Sequence, residues 1–263
     1  MSTTRAALSP GVVVTSIGLL IAFLAIWQWV PAMLSVPAFI MPPPTKVWSE
    51  TVRMAGTEKL LLHTGITALE VVVGFVLGSL LGLVVGCILG VSPKTELVLS
   101  PYILALQIAP KVAFAPLFVM WLGYTVYPKI LVAILIVFFP VMVNVLTAIR
   151  TVDPDLINLA RSFSATRWQI FRMVEYPTSM APLFSGLRIA ATLAVIGVVV
   201  GEMVGGNKGL GYLLVFGAGQ GNTAMVFVTI IMLTLIGIAA YWLVVWAERR
   251  VLHYLPRAQH TMV

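Results

Sequence analysis

Charge is what this sequence has least of. Asp, Glu, Lys and Arg make up 10% of its 263 residues and 60% are hydrophobic, whereas soluble domains carry about 25% charged residues; an ordinary soluble domain is excluded. Cysteine is almost missing. The lone Cys87 lies inside an apolar segment, so no intrachain disulfide is possible and the residue reads as a small buried hydrophobe. Histidine is nearly as scarce: His63, His253 and His260 all fall outside the centres of the apolar runs, so they form no buried metal cluster with Cys87. No Gly-x-Ser-x-Gly elbow occurs. The stretch Gly201 to Lys208 fails as a phosphate loop, because Asn207 separates Gly206 from Lys208 and Gly209 stands where a hydroxyl is needed. These gaps point away from an enzyme and leave the chain with no metal or cofactor of its own. Low-complexity tracts and internal repeats are lacking as well. The N-terminal region has no small-residue cleavage site after a short core, so its apolar run reads as an uncleaved first span.

What the chain has in abundance is hydrocarbon, with a mean hydropathy of +1.04. A bilayer-spanning helix needs roughly 20 mostly apolar residues, and six stretches qualify, at approximately 12–30, 64–91, 101–122, 129–150, 183–204 and 223–247. The expected fold is an all-α membrane protein. Its basic residues flank the apolar runs and form no stripe, so the net charge of +7 indicates a lipid bilayer rather than nucleic acid. Six spans return the chain to its starting side. With the N-terminus cytoplasmic, ten basic residues fall inside and five outside, Lys129 and Lys208 among the five, so the positive-inside rule puts both termini in the cytoplasm. Three regions follow: 1–63, a first span with an external interfacial helix over Val47 to Leu62; 64–247, a core with a polar insert at 151–182; and 248–263, a cytoplasmic tail. The outer segment Gly205 to Asn222 reads as a glycine-rich loop.

Within the spans, Gly74, Gly78, Gly82, Gly86 and Gly90 place a glycine at every fourth residue across the membrane, a stripe that lets another helix approach backbone to backbone. Lys111 falls near the middle of the third span, between Pro110 and Pro116. Each proline removes a helical hydrogen bond, freeing the carbonyls of Leu106 and Val112, and ionisable groups at such depth mark functional sites. The expectation is a kinked helix along a water-accessible pathway lined by Pro110, Lys111, Pro116, Met120 and Trp121; the alternative is that Lys111 snorkels to an interface. Glu70 and Glu202 sit near the outer ends of their spans, either gating the external mouth or placed there as interfacial carboxylates. Arg188 reads as an anchor at the cytoplasmic interface.

The insert carries its own punctuation. Asp153-Pro154 has the form of a helix cap followed by proline at the first position, and a first short helix is expected to end at Ser164-Ala165. Thr166-x-x-Gln169 has capping-box spacing, which predicts a second short helix stopping before Pro177. Arg161, Arg167, Trp168 and Arg172 make this surface basic and partly aromatic.

The run from Asp153 to Pro177 resembles the ATPase-coupling loop of bacterial ABC importer permeases. In that family the loop reads Glu-Ala-Ala, then Gly four residues on, then an apolar residue and Leu-Pro. Here Ala160 and Pro177 match, whereas Asn158, Leu159, Ser164 and Tyr176 replace the Glu, first Ala, Gly and Leu. The resemblance covers most of the chain from about Pro42: Pro110 to Phe118, Trp121-Leu-Gly, Phe138-Phe-Pro140, Ser185-Gly-Leu-Arg188, and Gly201-Glu-Met with Gly209-Leu-Gly211 are similar to permeases of the nitrate, sulfonate and taurine group. Arg188 to Gly197 looks closer to a branch associated with hydroxymethylpyrimidine or riboflavin-type solutes. The resemblance implies a type I importer fold, a second permease copy, a cytoplasmic ATPase dimer that binds ATP and Mg, and an extracytoplasmic solute-binding protein, all at a bacterial inner membrane. It assigns coupling to Asp155, Asn158, Leu159, Ala160, Arg161, Ser164, Arg167 and Trp168. A cationic Lys111 would suit an anionic solute, and the aromatic and Met side chains near Trp121 a flat heterocycle. The competing readings are a channel or secondary transporter without an ATPase, a membrane enzyme, and an exporter.

Overall fold

The computed structural model describes residues 10–150 and 152–253. Arg5, Arg257, His260, Thr151 at the start of the insert and most of the 248–263 tail lie outside the described residues. Those described form helices and connecting turns: α1 Pro10–Met33, α2 Pro44–Gly56, α3 Leu60–Val91, α4 Pro93–Ile108, α5 Ala115–Leu122, α6 Tyr127–Arg150, α7 Pro154–Ser162, α8 Arg167–Ile170, α9 Tyr176–Gly205, α10 Leu210–Gly219 and α11 Thr223–Val251. Five continuous runs are long and apolar enough to cross a bilayer, and a sixth crossing is available as a bent pair, α4 with Lys111–Leu122. The all-α expectation holds, with three local corrections. The helix expected over Val47 to Leu62 runs Pro44–Gly56 and so ends short of Leu62. The glycine-rich segment Gly205 to Asn222, expected as a loop, contains helix α10. The third span is two helices meeting at 81°, where a single kinked helix was expected.

The chain divides into two compact units, one of residues 1–61 with 213–231 and one of residues 62–212 with 232–263. In the first, α1 is apolar on all sides, as a lipid-facing helix should be. Gln28 accepts the amide of Thr45 at 3.3 Å, tying α1 to α2. Asn222 donates to Glu50 at 2.7 Å, and Arg53 grips the same carboxylate at 2.9 Å.

The second unit is built around α6, which packs most extensively on α9. Buried Ala115, Val132 and Ile136 join α5 to α6, with Phe118, Leu193 and Val200 against them. The glycine stripe faces α6 as its spacing predicts. A Cβ on Gly74 would lie 2.5 Å from Ala133 Cβ, on Gly78 2.8 Å from Val137, on Gly82 2.7 Å from the Phe138 carbonyl, on Gly86 2.7 Å from the Met142 carbonyl and on Gly90 2.7 Å from Ile149. The other side of α6 meets glycines as well: a Cβ on Gly197 or Gly201 of α9 would stand 2.6 Å from the Cα of Ala133 or Lys129. With no hydrophobic drive between helices in lipid, such close approach gains van der Waals contact instead.

At the end of the bundle nearest the insert, Arg188 of α9 lies 3.5 Å from Glu248 of α11, an ion pair that ties the two helices together. Arg150 of α6 likewise pairs with Glu96 of α4.

Candidate functional site

The insert folds as its caps dictate. Asp153 accepts the amide of Asp155 at 2.9 Å, which starts α7 and leaves Asp155 in its first turn, where an acid complements the helix dipole. Its end is a Schellman motif: the amide of Ser164 reaches the carbonyl of Arg161 at 2.8 Å and that of Ala165 the carbonyl of Ala160 at 3.1 Å. Ser164 takes the left-handed conformation this motif needs, with φ +59°, although glycine is the residue that adopts it without strain. That accounts for the glycine the resembling family carries at this place. The helical residues stop at Ser162, and Ser164 and Ala165 complete the cap.

Thr166 and Gln169 form the expected capping box. The second helix nevertheless does not stop before Pro177. It passes through a π-helical turn, Phe171–Glu175, straight into α9, giving one run Arg167–Gly205 of 39 residues. Pro177 falls in the first turn of α9, where the wider turn ahead of it tolerates a missing amide. The insert also presents apolar side chains to solvent: Phe163 is 78% exposed and Trp168, stacked on Phe171, is 67% exposed. Leu159 is exposed too, beside Asn158, Ala160 and Arg161 on α7, and Arg167 opens α8.

The broken span is organised by Ala109, whose ψ of 136° is the extended value forced on a residue that precedes proline. Lys111 begins a 3₁₀ turn at the break, a correction to the mid-helix position expected for it. Its ammonium is occupied: Nζ donates to the carbonyl of Gln107 at 2.5 Å and stands 4.8 Å above the Phe139 ring. The carbonyl of Val112, expected to be free, accepts the amide of Ala115. Pro116 opens α5, along which Phe114, Phe118 and Trp121 follow one another with ring centroids 6.1 Å apart. Met120 and Trp121 are exposed.

At the opposite end of α9 from the insert lies a buried polar cluster that the sequence did not disclose. Glu202 is 0% exposed, Glu70 2% and Lys129 3%, so neither carboxylate is open to solvent here, and Lys129, at the start of the fourth span, is buried with them. Lys129 Nζ donates to Glu70 at 2.9 Å and to the carbonyl of Lys208 at 3.3 Å. Thr67 donates to Glu202 at 2.7 Å. The first amides of α10 then find side chains in sequence: Gly209 donates to His63 Nδ1 at 2.9 Å, Leu210 to Thr67 at 2.8 Å and Gly211 to Glu202 at 2.6 Å. Gly209, at φ +107°, leaves the space where a Cβ would strike the Glu202 carboxylate.

The described residues thus form apolar helices long enough to cross a bilayer, closely packed through glycine, with one pair bent by 81° and a capped polar insert, the architecture of a multi-pass membrane protein. Residues 74–253 match the family described as binding-protein-dependent transport system inner membrane component, and the chain belongs to that family. It is similar to the riboflavin transport system permease protein RibX of Chloroflexus aurantiacus, at 38% identity over 88% of this chain and 86% of that one. The formylaminopyrimidine transport permease protein ThiX of Halalkalibacterium halodurans is 31% identical over 83% and 86%, and a putative aliphatic sulfonates transport permease, SsuC of Bacillus subtilis, 32% over 88% and 84%. A chain of the MetNI methionine ABC transporter in an inward-facing conformation shares the fold, with a TM-score of 0.59 and 21% identity over 75% of this chain and 96% of that one. The protein is thus a multi-pass ABC importer permease subunit, and ATP hydrolysis belongs to a separate ATPase.

Proposed function

We propose that two copies of this chain pair to form the translocation pathway, with α7 and α8 facing the cytoplasm and seated in an ATPase dimer. Both termini then lie inside, and a solute-binding protein delivers cargo to the far side. ATP and Mg are held by the ATPase; this chain supplies the handle. One observation carries the reading: Trp168 is exposed on a capped helix that continues without interruption into the 39-residue run Arg167–Gly205. Exposed aromatic and aliphatic side chains on the insert, Trp168 with Phe163 and Leu159, are what a docking surface requires, and the continuous helix turns a push there into displacement of a membrane span. Asp155, Asn158, Leu159, Ala160, Arg161, Ser164, Arg167 and Trp168 form the coupling surface. A channel or secondary transporter has no use for such a handle.

For the solute, the reading is a flat heterocycle of the pyrimidine or flavin kind, passing Pro110, Lys111, Pro116, Met120 and Trp121. The ammonium of Lys111 gives one hydrogen bond to a carbonyl and rests over a ring face, while the exposed Met120 and Trp121 suit stacking on a planar ring, and these two side chains support the heterocycle. Two of the relatives transport solutes of that kind by their names. Purification of the chain should bring down a P-loop ATPase, and the complex with its binding protein, reconstituted in liposomes, should import riboflavin or a formylaminopyrimidine on ATP addition. Absence of any ATPase overturns the importer assignment; import of taurine or an alkanesulfonate in place of the heterocycles overturns the solute.

A further inference from the structure

We propose that Glu202 is a positioning residue for transport: it clamps the start of α10 to α9, so that displacement of α9 carries the loop after it instead of letting that loop lag. The inference rests on the importer reading above. The first four amides of any helix lack intrahelical partners, and near the N-terminus of α10 those of Gly209, Leu210 and Gly211 are taken up by His63, Thr67 and Glu202. A helix is ordinarily capped by its own preceding residue. Here the caps come from two other places, α3 and the last turn of α9, and Glu202 is the member that belongs to α9. His63 and Thr67, four residues apart, occupy one face of α3, and Thr67 closes the circuit by donating to Glu202.

The helical run that carries Glu202 in its last turn begins just after Thr166, the cap residue of the insert's capping box. At about 1.5 Å per residue, Thr166 and Glu202 stand roughly 54 Å apart along the run Arg167–Gly205. Its far end is filled without slack: a Cβ at Gly211 would stand 2.8 Å from Glu202 Cβ and 2.7 Å from the Val199 carbonyl. An ionisable group with 0% exposure is costly to bury unless its hydrogen bonds are made, and the two hydrogen bonds of its carboxyl run to the start of α10 and to Thr67, which steadies it.

The test uses the whole transporter in liposomes and measures solute imported, ATP hydrolysed and thermal midpoint for wild type, Glu202→Ala, Glu202→Gln and Thr67→Val. Glu202→Ala should lower import per ATP hydrolysed by about tenfold, within the range of allosteric coupling losses, with ATPase activity unchanged. Glu202→Gln keeps one acceptor oxygen and should recover part of that ratio; Thr67→Val, which removes a link without touching α9, should give a smaller loss. Import and ATPase activity falling in equal proportion, together with a lowered midpoint, would show a merely structural residue and overturn the clamp. So would wild-type import by Glu202→Ala. A wild-type complex that hydrolyses no ATP removes the importer reading, and the clamp with it, an outcome separate from either.

Discussion

Glu70 and Lys129 meet at 2.9 Å, 59 residues apart in sequence, and that separation is the register of a whole interface. Gly74 opposes Ala133, Gly78 Val137, Gly82 Val141, Gly86 Val145 and Gly90 Ile149, each pair with the same offset. The ion pair is the first rung of the glycine ladder, and α3 and α6 run in the same direction. Lys129→Met should destabilise the protein by roughly 3–5 kcal/mol, because it strands a buried carboxylate, whereas Glu70→Gln with Lys129→Met should recover most of the loss. Denaturant unfolding in detergent measures both.

Lower on the ladder the test is steric. Gly82→Ala puts a Cβ 2.7 Å from the Phe138 carbonyl, a backbone atom that cannot swing aside, and should cost roughly 1–3 kcal/mol as overpacking. Gly65→Ala, on the same helix with no atom within 4 Å of the added carbon, should be silent. Protease resistance of the two purified variants distinguishes them.

Ser164→Gly should raise stability. Left-handed backbone costs a non-glycine residue roughly 1–2 kcal/mol, and the Schellman hydrogen bonds of Ser164 and Ala165 involve only main chain, so they survive the change. Ser164→Val should do the reverse. The thermal midpoint of each variant, with ATPase stimulation as a second measure, checks the direction.

Trp168→Glu replaces an exposed ring, stacked on Phe171, with a charge. Membrane insertion should be intact and stimulation of the ATPase lost, as should follow from Arg167→Glu. Unaltered transport by these variants removes both residues from the coupling surface.

Glu50 offers a pH test outside the bilayer. The hydrogen bond from Arg53 holds its carboxyl below the ordinary 4.5, with Asn222 adding to the effect against partial burial. A lowered folded-state value means its stabilisation is present above 4.5 and is lost as pH falls through that lowered value. Fluorescence of Trp48, two residues away on α2, should therefore show a transition on the acid side of 4.5 that Glu50→Gln lacks.

The features legible in the sequence were those that depend on neighbours along the chain. Apolar length gave the spans, Asp153 and Thr166-x-x-Gln169 gave the caps, and four-residue spacing gave the stripe that faces α6. What escaped depends on partners far away or on a single dihedral angle. Pro31, Pro101, Pro140 and Pro182 sit inside helices, so proline alone does not announce a break; at Pro110 the break is settled by Ala109 turning extended. Lys129 read as a flanking cation at the start of its span because its carboxylate lies on another helix. A signal was nonetheless present, since Glu70 keeps the four-residue step of the glycines and Lys129 that of Ala133, Val137 and Val141. The continuation of α8 into α9 was hidden by Pro177, because a proline ends a helix more often than it follows a π-helical turn into the next one.

The 81° bend between α4 and Lys111–Leu122 bears on how the chain is made. At about 1.5 Å per residue, neither the 16-residue α4 nor the segment after the break reaches across roughly 30 Å of hydrocarbon. Only together are the two halves long enough to span, and the bend between them is sheltered by α6 through Val132, Ile136 and Phe139, so this crossing depends on a later helix for its final shape.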